Sequence, residues 1–172
     1  FIAADAIRQH LPWLKFTISE FKRNFLIPLW NPYIFSGQPN IANIQTLSFN
    51  PFIGLFLLLP LFAAWNIFII IQIPLAITFT YLFSRSLKVA KIPSLFAGIA
   101  FVFSSYFIYW FEIGIVNHTI LWTPLILFSI QELFEKQKFI YLILLIMSST
   151  FMILSGHIQT SVFIFILAFI FY

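Results

Sequence analysis

The chain has 172 residues, of which 62% are hydrophobic and only 8% charged, where an ordinary soluble domain carries about 25%. Nine basic and five acidic side chains cannot cover a 20.1 kDa particle, so soluble globular, disordered and fibrous classes are excluded and a polytopic membrane protein remains. No Cys is present, which removes disulfide and thiol chemistry, and the net charge of +4 carries information through where Lys and Arg fall in loops.

The sequence opens with Phe1-Ile2-Ala3-Ala4 running into Asp5, and it stops at Tyr172 inside an apolar run. No basic n-region or cleavage site marks a signal peptide. The whole of 1–172 therefore reads as an internal piece of one transmembrane domain, with 4–52 as its first external loop.

Within that loop Ile7, Leu11, Leu14, Ile18, Phe21 and Phe25 recur at steps of four and three, with Arg8, Gln9, Lys15, Lys22 and Arg23 on the other side. The spacing predicts an amphipathic helix. One reading lays it on the membrane surface with its basic residues near lipid headgroups. A second starts from Asp5, the only Asp in the chain, with Arg8 and Gln9 three and four residues on. A carboxylate beside a cation and an amide at a wet membrane boundary suits catalysis. A plain helix cap is the alternative for Asp5.

Residues 28–51 contain Pro28, Pro32, Pro39, Pro51 and Gly37, which forbid a long helix. Trp30, Tyr33 and Phe35 supply rings, and Asn31, Gln38, Asn40, Asn43 and Gln45 supply amides. Rings stack on the C–H faces of sugars and amides pair with hydroxyls. An interfacial aromatic belt is the alternative. The run 51–64 is short for a span, and Pro60 and Pro74 are expected to break or kink any helix from 51 to 84.

Apolar runs at 67–84, 94–111, 119–134, 139–155 and 158–172 (the last truncated) are expected as transmembrane helices, because lipid cannot satisfy free backbone polar groups. The expected fold is all-α: a polytopic transmembrane helix bundle whose extracytoplasmic loop carries an amphipathic interfacial helix. Loops 85–93 and 135–138 hold Arg85, Lys88, Lys91, Lys136 and Lys138, whereas 112–118 and 156–158 hold no Lys or Arg. The positive-inside bias puts the first pair of loops in the cytoplasm. Residues 112–118 and 156–158 then lie outside, and so do residues 1–50 if 51–64 does not cross. Glu112 and His118 fall in one outer loop, and His157 and Gln159 flank Gly156 in the next. His and Gln there can bind a phosphate or hydroxyl. For each, a solvated or capping role is the alternative.

A wider pattern joins these pieces. Asp5-Ala6-Ile7-Arg8-Gln9-His10-Leu11-Pro12 is followed by Pro28-Leu29-Trp30-Asn31-Pro32, Phe35-Ser36-Gly37-Gln38-Pro39, Ala42-Asn43 and Asn50-Pro51-Phe52. This order resembles the first external loop of the YfhO-like bacterial membrane proteins, within the GT-C class of polytopic glycosyltransferases. Trp122-Thr123-Pro124 and Gly156-His157-Ile158-Gln159 fit it more loosely. The resemblance implies a multi-pass protein of the bacterial cytoplasmic membrane. It would move a sugar from a polyprenyl-phosphate carrier to a glycan, lipid or protein acceptor of the cell envelope. It also implies Asp5 as the essential carboxylate, acting as base or as ligand of a divalent metal (Mg or Mn), with Glu112 as the second acid. Arg8 and Lys15 would hold the donor phosphate, with Gln9 and His10 beside them. Trp30, Asn31, Gln38 and Asn43 would shape the sugar pocket, with His118, His157 and Gln159 as further binding residues. No nucleotide-binding glycine motif and no nucleic-acid partner is expected. A transporter or flippase for a lipid-linked or amphiphilic substrate is the competing function.

Overall fold

The computed structural model describes residues 5–171. The apolar lead-in at 1–4 and the last residue of the final run lie outside the described residues. The fold is all-α apart from one short ribbon.

The chain enters through one turn of π-helix, Ala6–His10, which passes into α1, Leu11–Asn24. Pro12 sits in the first turn, where its missing N–H costs nothing. The helix ends at Phe25 in the left-handed conformation, with the Phe25 N–H donating to the Phe21 carbonyl. Next comes a hairpin in which β1, Trp30–Asn31, pairs antiparallel with β2, Gln38–Pro39. A 3₁₀ turn at Ile44–Thr46 leads to the short α2, Ile53–Leu58.

The α1 stripe does not behave as a membrane-surface helix. Leu14, Thr17 and Ile18 are buried, and Leu14 and Ile18 join Leu47, Phe56, Ala64, Trp65 and Phe68 in a core beneath the N-terminal segment. The helix packs its apolar face on its own chain, while Ile7 and Phe25 at the two ends of the stripe are exposed.

Residues 51–64 do not form a span. Six residues make α2, and Pro60 starts a new helix, α3, Leu61–Ser86. The expected 67–84 span is thus longer at both ends. Its 26 residues give about 39 Å at 1.5 Å per residue. Pro74 lies inside α3 without ending it, as proline can in a membrane helix where neighbours re-satisfy the freed carbonyl. Among the described residues α3 alone is both long and apolar enough to cross a membrane, and only 17% of its most apolar window is covered by the rest of the chain.

The expected 94–111 span is two helices, α4, Lys91–Val102, and α5, Ser105–Tyr109. Ser104 causes the break: its hydroxyl accepts from the Phe107 N–H and caps α5. Ser94, Gly98 and Val102 form the buried side of α4. A Cβ on Gly98 would meet the Ile77 carbonyl at 2.8 Å, so glycine permits this close helix pairing with α3. The expected 119–134 span is divided into α6, Ile115–Ile120, and α7, Thr123–Lys136. The last two runs appear as α8, Phe139–Leu154, and α9, Ile158–Phe171. With α4, these are apolar helices shorter than a full span. Ala76, Val102, Phe107, Trp122, Ile126 and Met152 build the second core, where α3, α4 and α5 meet α7 and α8.

Candidate functional site

The N-terminal segment holds a cleft of about 520 Å³ between the start of α1 and the hairpin. Arg8 and Gln9 line one side, and Pro12, Trp13 and Phe16 continue it along the helix. Asn31, Tyr33, Ile34 and Phe35 form the opposite wall. The walls are tied by an edge-to-face contact of Phe16 with Tyr33, ring centroids 5.8 Å apart. The hairpin itself is pinned from below. Buried Asn40 donates from Nδ2 to the Thr17 hydroxyl and to the Pro28 carbonyl, both at 3.2 Å. Asn31 Oδ1 accepts from the Tyr33 N–H at 3.0 Å, which sets the turn and aims its ring. The cleft therefore presents a guanidinium, the Gln9 amide and several rings to one space, with Asn31 buried in its wall.

Three of the expected binding residues, Arg8, Gln9 and Asn31, meet there. Trp13, Phe16 and Pro12 were not among the expected ones. Their signal is a second stripe, Gln9-Trp13-Phe16, at steps of four and three on the side of α1 away from Leu14 and Ile18.

Asp5 lies just before the π-turn. Its side chain makes no cap hydrogen bond. The Leu11 N–H reaches back to the Ala6 carbonyl, and this wider winding changes which residues share a face. No ion pair joins Asp5 to Arg8 among the described residues. The group that feels Asp5 is His10, buried with its edge toward Trp13 at 5.7 Å. Burial pushes the His10 pKa from 6.5 down to about 4; Asp5 opposes this, and the nearby charge of His157 adds to it. His10 Nδ1 has no hydrogen-bond partner. His157 comes from the turn between α8 and α9. Its Nδ1 faces the Thr160 hydroxyl at 2.7 Å and accepts from the Thr160 N–H at 3.3 Å, so it caps α9. Burial lowers its pKa as well. Gly156 makes this approach possible: at φ +104 it lies where a Cβ would press on Ile115 and on the Ile44 carbonyl.

The remaining candidates are dispersed. Lys15 is exposed and outside the cleft. Trp30 does not line it either; its indole covers Gly37, where an added Cβ would lie 2.6 Å from the ring. Gln38 belongs to β2, and Asn43 caps the 3₁₀ turn by accepting from the Gln45 N–H. Gln159 is exposed on α9. Glu112 is exposed at the rim of a separate apolar cavity of about 720 Å³, with Ile73, Phe103 and Tyr109 among its walls. His118 is fully buried, not solvated, and its ring is packed between Phe52 and Phe68. That placement leaves it no surface for a ligand.

Among the described residues no three His, Asp or Glu side chains come together to hold a metal ion. Asp5, His10 and His157 do not make such a group among the described residues. No family model, curated protein or solved structure significantly matches the chain.

Proposed function

We propose that this chain is part of a membrane-embedded glycosyltransferase acting on the outer face of a bacterial cytoplasmic membrane. The helices from α3 to α9 form a polytopic bundle, with α4–α5 and α6–α7 as interrupted spans, and the α1–hairpin segment lies outside. The donor is a sugar linked to a polyprenyl phosphate, and the acceptor is a hydroxyl-bearing molecule of the envelope.

The observation that carries this reading is the cleft of Arg8, Gln9, Asn31 and their rings, which is built from the segment bearing the family-like motifs. A guanidinium offers paired, charge-assisted hydrogen bonds to a phosphate. Trp13, Tyr33 and Phe35 offer faces to a sugar, Gln9 offers an amide to its hydroxyls, and Asn31 holds the Tyr33 turn in place. In the proposed step the acceptor oxygen attacks the anomeric carbon and gives its proton to Asp5. The bond from that carbon to the phosphate oxygen breaks, and the lipid phosphate leaves with Arg8 facing its charge. A transporter reading gains less support. Charged side chains of the apolar helices sit at helix ends, and Glu132, buried near the end of α7, is paired with Lys136.

The test is sugar transfer by the reconstituted protein from a polyprenyl-phosphate-linked sugar, with Arg8→Gln alongside. Transfer that falls with a raised donor KM in Arg8→Gln supports the reading. Unaltered donor use in that variant at equal membrane levels overturns the role of the cleft.

A further inference from the structure

The end of α1 carries apolar surface that the fold leaves open. Phe25, Leu26 and Leu29 are 80%, 71% and 66% exposed within five residues of chain. Lys22 and Arg23 stand directly before them and are also exposed. Neither is engaged by an ion pair among the described residues. The nearby acid, Glu20, instead accepts from Asn24 Nδ2 at 3.0 Å. Two free cations beside three open apolar side chains match an anionic lipid surface, with charge for the headgroups and alkyl and phenyl groups for the layer beneath.

Position agrees with chemistry. Ile27, in the middle of this segment, shares a small cavity with Ile53 and Leu57 of α2. That helix ends at Leu58, and α3 begins at Leu61. Leu58 and Phe62 at this junction are 85% and 72% exposed. The open apolar surface of residues 25–29 therefore continues into the surface where the long apolar helix starts.

We infer that residues 22–29 form a foot that seats on the anionic outer surface of the bilayer, with Phe25, Leu26 and Leu29 in the interface and Lys22 and Arg23 among the headgroups. It rests on the membrane reading of α3. The foot fixes the height of α1 above the membrane, and with it the height of the cleft.

The absence of Cys from the chain makes the test direct. Leu26→Cys, and Leu29→Cys as a second reporter, are labelled with an environment-sensitive fluorophore in the full chain, reconstituted into vesicles of phosphatidylcholine and phosphatidylglycerol. An Ile70→Cys probe in mid-α3 serves as the control. The proposal expects apolar-type emission at 26 and 29, quenched by nitroxides placed near the headgroup. Lys22→Gln with Arg23→Gln should weaken that seating roughly tenfold. Quenching at 70 with water-like emission at 26 and 29 overturns the foot and leaves the membrane reading intact. No lipid quenching at any of the three positions overturns both. Apolar emission at 26 that follows the protein-to-lipid ratio and ignores the lipid nitroxides identifies a second copy as the occupant, and also overturns it.

Discussion

His118 and Phe68 are joined twice. The imidazole Nε2–H donates to the Phe68 carbonyl at 2.6 Å, and the imidazole stacks on the Phe68 ring with centroids 3.8 Å apart and planes 15° from parallel. The carbonyl belongs to α3 and the histidine to α6. Two further side chains stitch the same region: Asn117 Nδ2 donates to the Phe107 carbonyl at 2.7 Å, and Gln72 Nε2 donates to the Phe111 carbonyl at 3.2 Å. Phe107 and Phe111 lie in and just after the short α5, whose end leaves carbonyls open, and a buried open carbonyl must find a donor.

This arrangement gives His118 a packing role that substitution separates from a chemical one. His118→Ala removes a buried ring and should cost about 2–4 kcal/mol of stability. His118→Phe keeps the ring and should cost less than about 1.5 kcal/mol, because the Phe68 carbonyl retains its helical donor. Thermal unfolding of both variants in matched detergent checks this. A stable but inactive His118→Phe protein would return the residue to the chemistry.

His10 makes the outer segment sensitive to acid. Its folded pKa of about 4 lies below the unfolded value of 6.5. Between those values the unfolded chain binds a proton that the folded site refuses. Stability should therefore rise as pH rises from about 4 to 6.5 and level off above. The span is worth on the order of 3 kcal/mol. His157 is shifted in the same direction by burial and adds to the slope. Hydrogen exchange of residues 11–24 against pH reads this out. His10→Gln should flatten the slope, and an unchanged slope would assign the titration elsewhere.

The proposed topology is read best at positions that tolerate a new side chain. Ala42 is exposed in the outer segment, and Ile92 and Phe139 are exposed at the opposite helix ends. Gly37, at φ +110 beneath Trp30, and Ile115, in the core, would not serve. Single cysteines at 42 should react with an impermeant reagent added to intact cells. Those at 92 and 139 should react only after the membrane is opened. Labelling of 92 from outside would reverse the orientation.

Helix α1 was legible in the sequence because its apolar stripe keeps the helical period from Leu11 to Phe21. The cleft was half legible. Its polar members stood out, but Trp13 and Phe16 fall outside the stripe from Ile7 to Phe25, and spacing alone does not say what a second apolar stripe faces. The break at Phe103–Ser104 was not legible, since two serines in an apolar run look like a membrane helix until the Ser104 hydroxyl is seen to cap at the Phe107 N–H. Asn117 and His118 fell in the expected outer loop and Thr119 at the start of the expected 119–134 span, with nothing to mark them as buried. Each instead donates to a backbone carbonyl, a pairing that spacing along one chain does not encode.

Asp5 carries the last prediction. A capping Asp accepts from a backbone N–H two or three residues on, and Asn caps about equally well. Asp5 accepts no such bond, so Asp5→Asn should leave the helix as stable as before. A general base behaves differently. Asn keeps the shape but loses both charge and basicity, and a positioned proton transfer is typically worth about 10²–10⁴ in rate. Asp5→Asn should therefore lower sugar transfer by at least about a hundredfold, with membrane levels and thermal midpoint held. The measurement is single-turnover transfer from a polyprenyl-phosphate-linked sugar by the intact protein, wild type against variant, across pH. Loss of the acidic limb of the pH–rate profile together with the rate places the carboxylate in the proton transfer. Near-normal turnover with that limb intact would leave Asp5 as an exposed charge that acts on His10 alone.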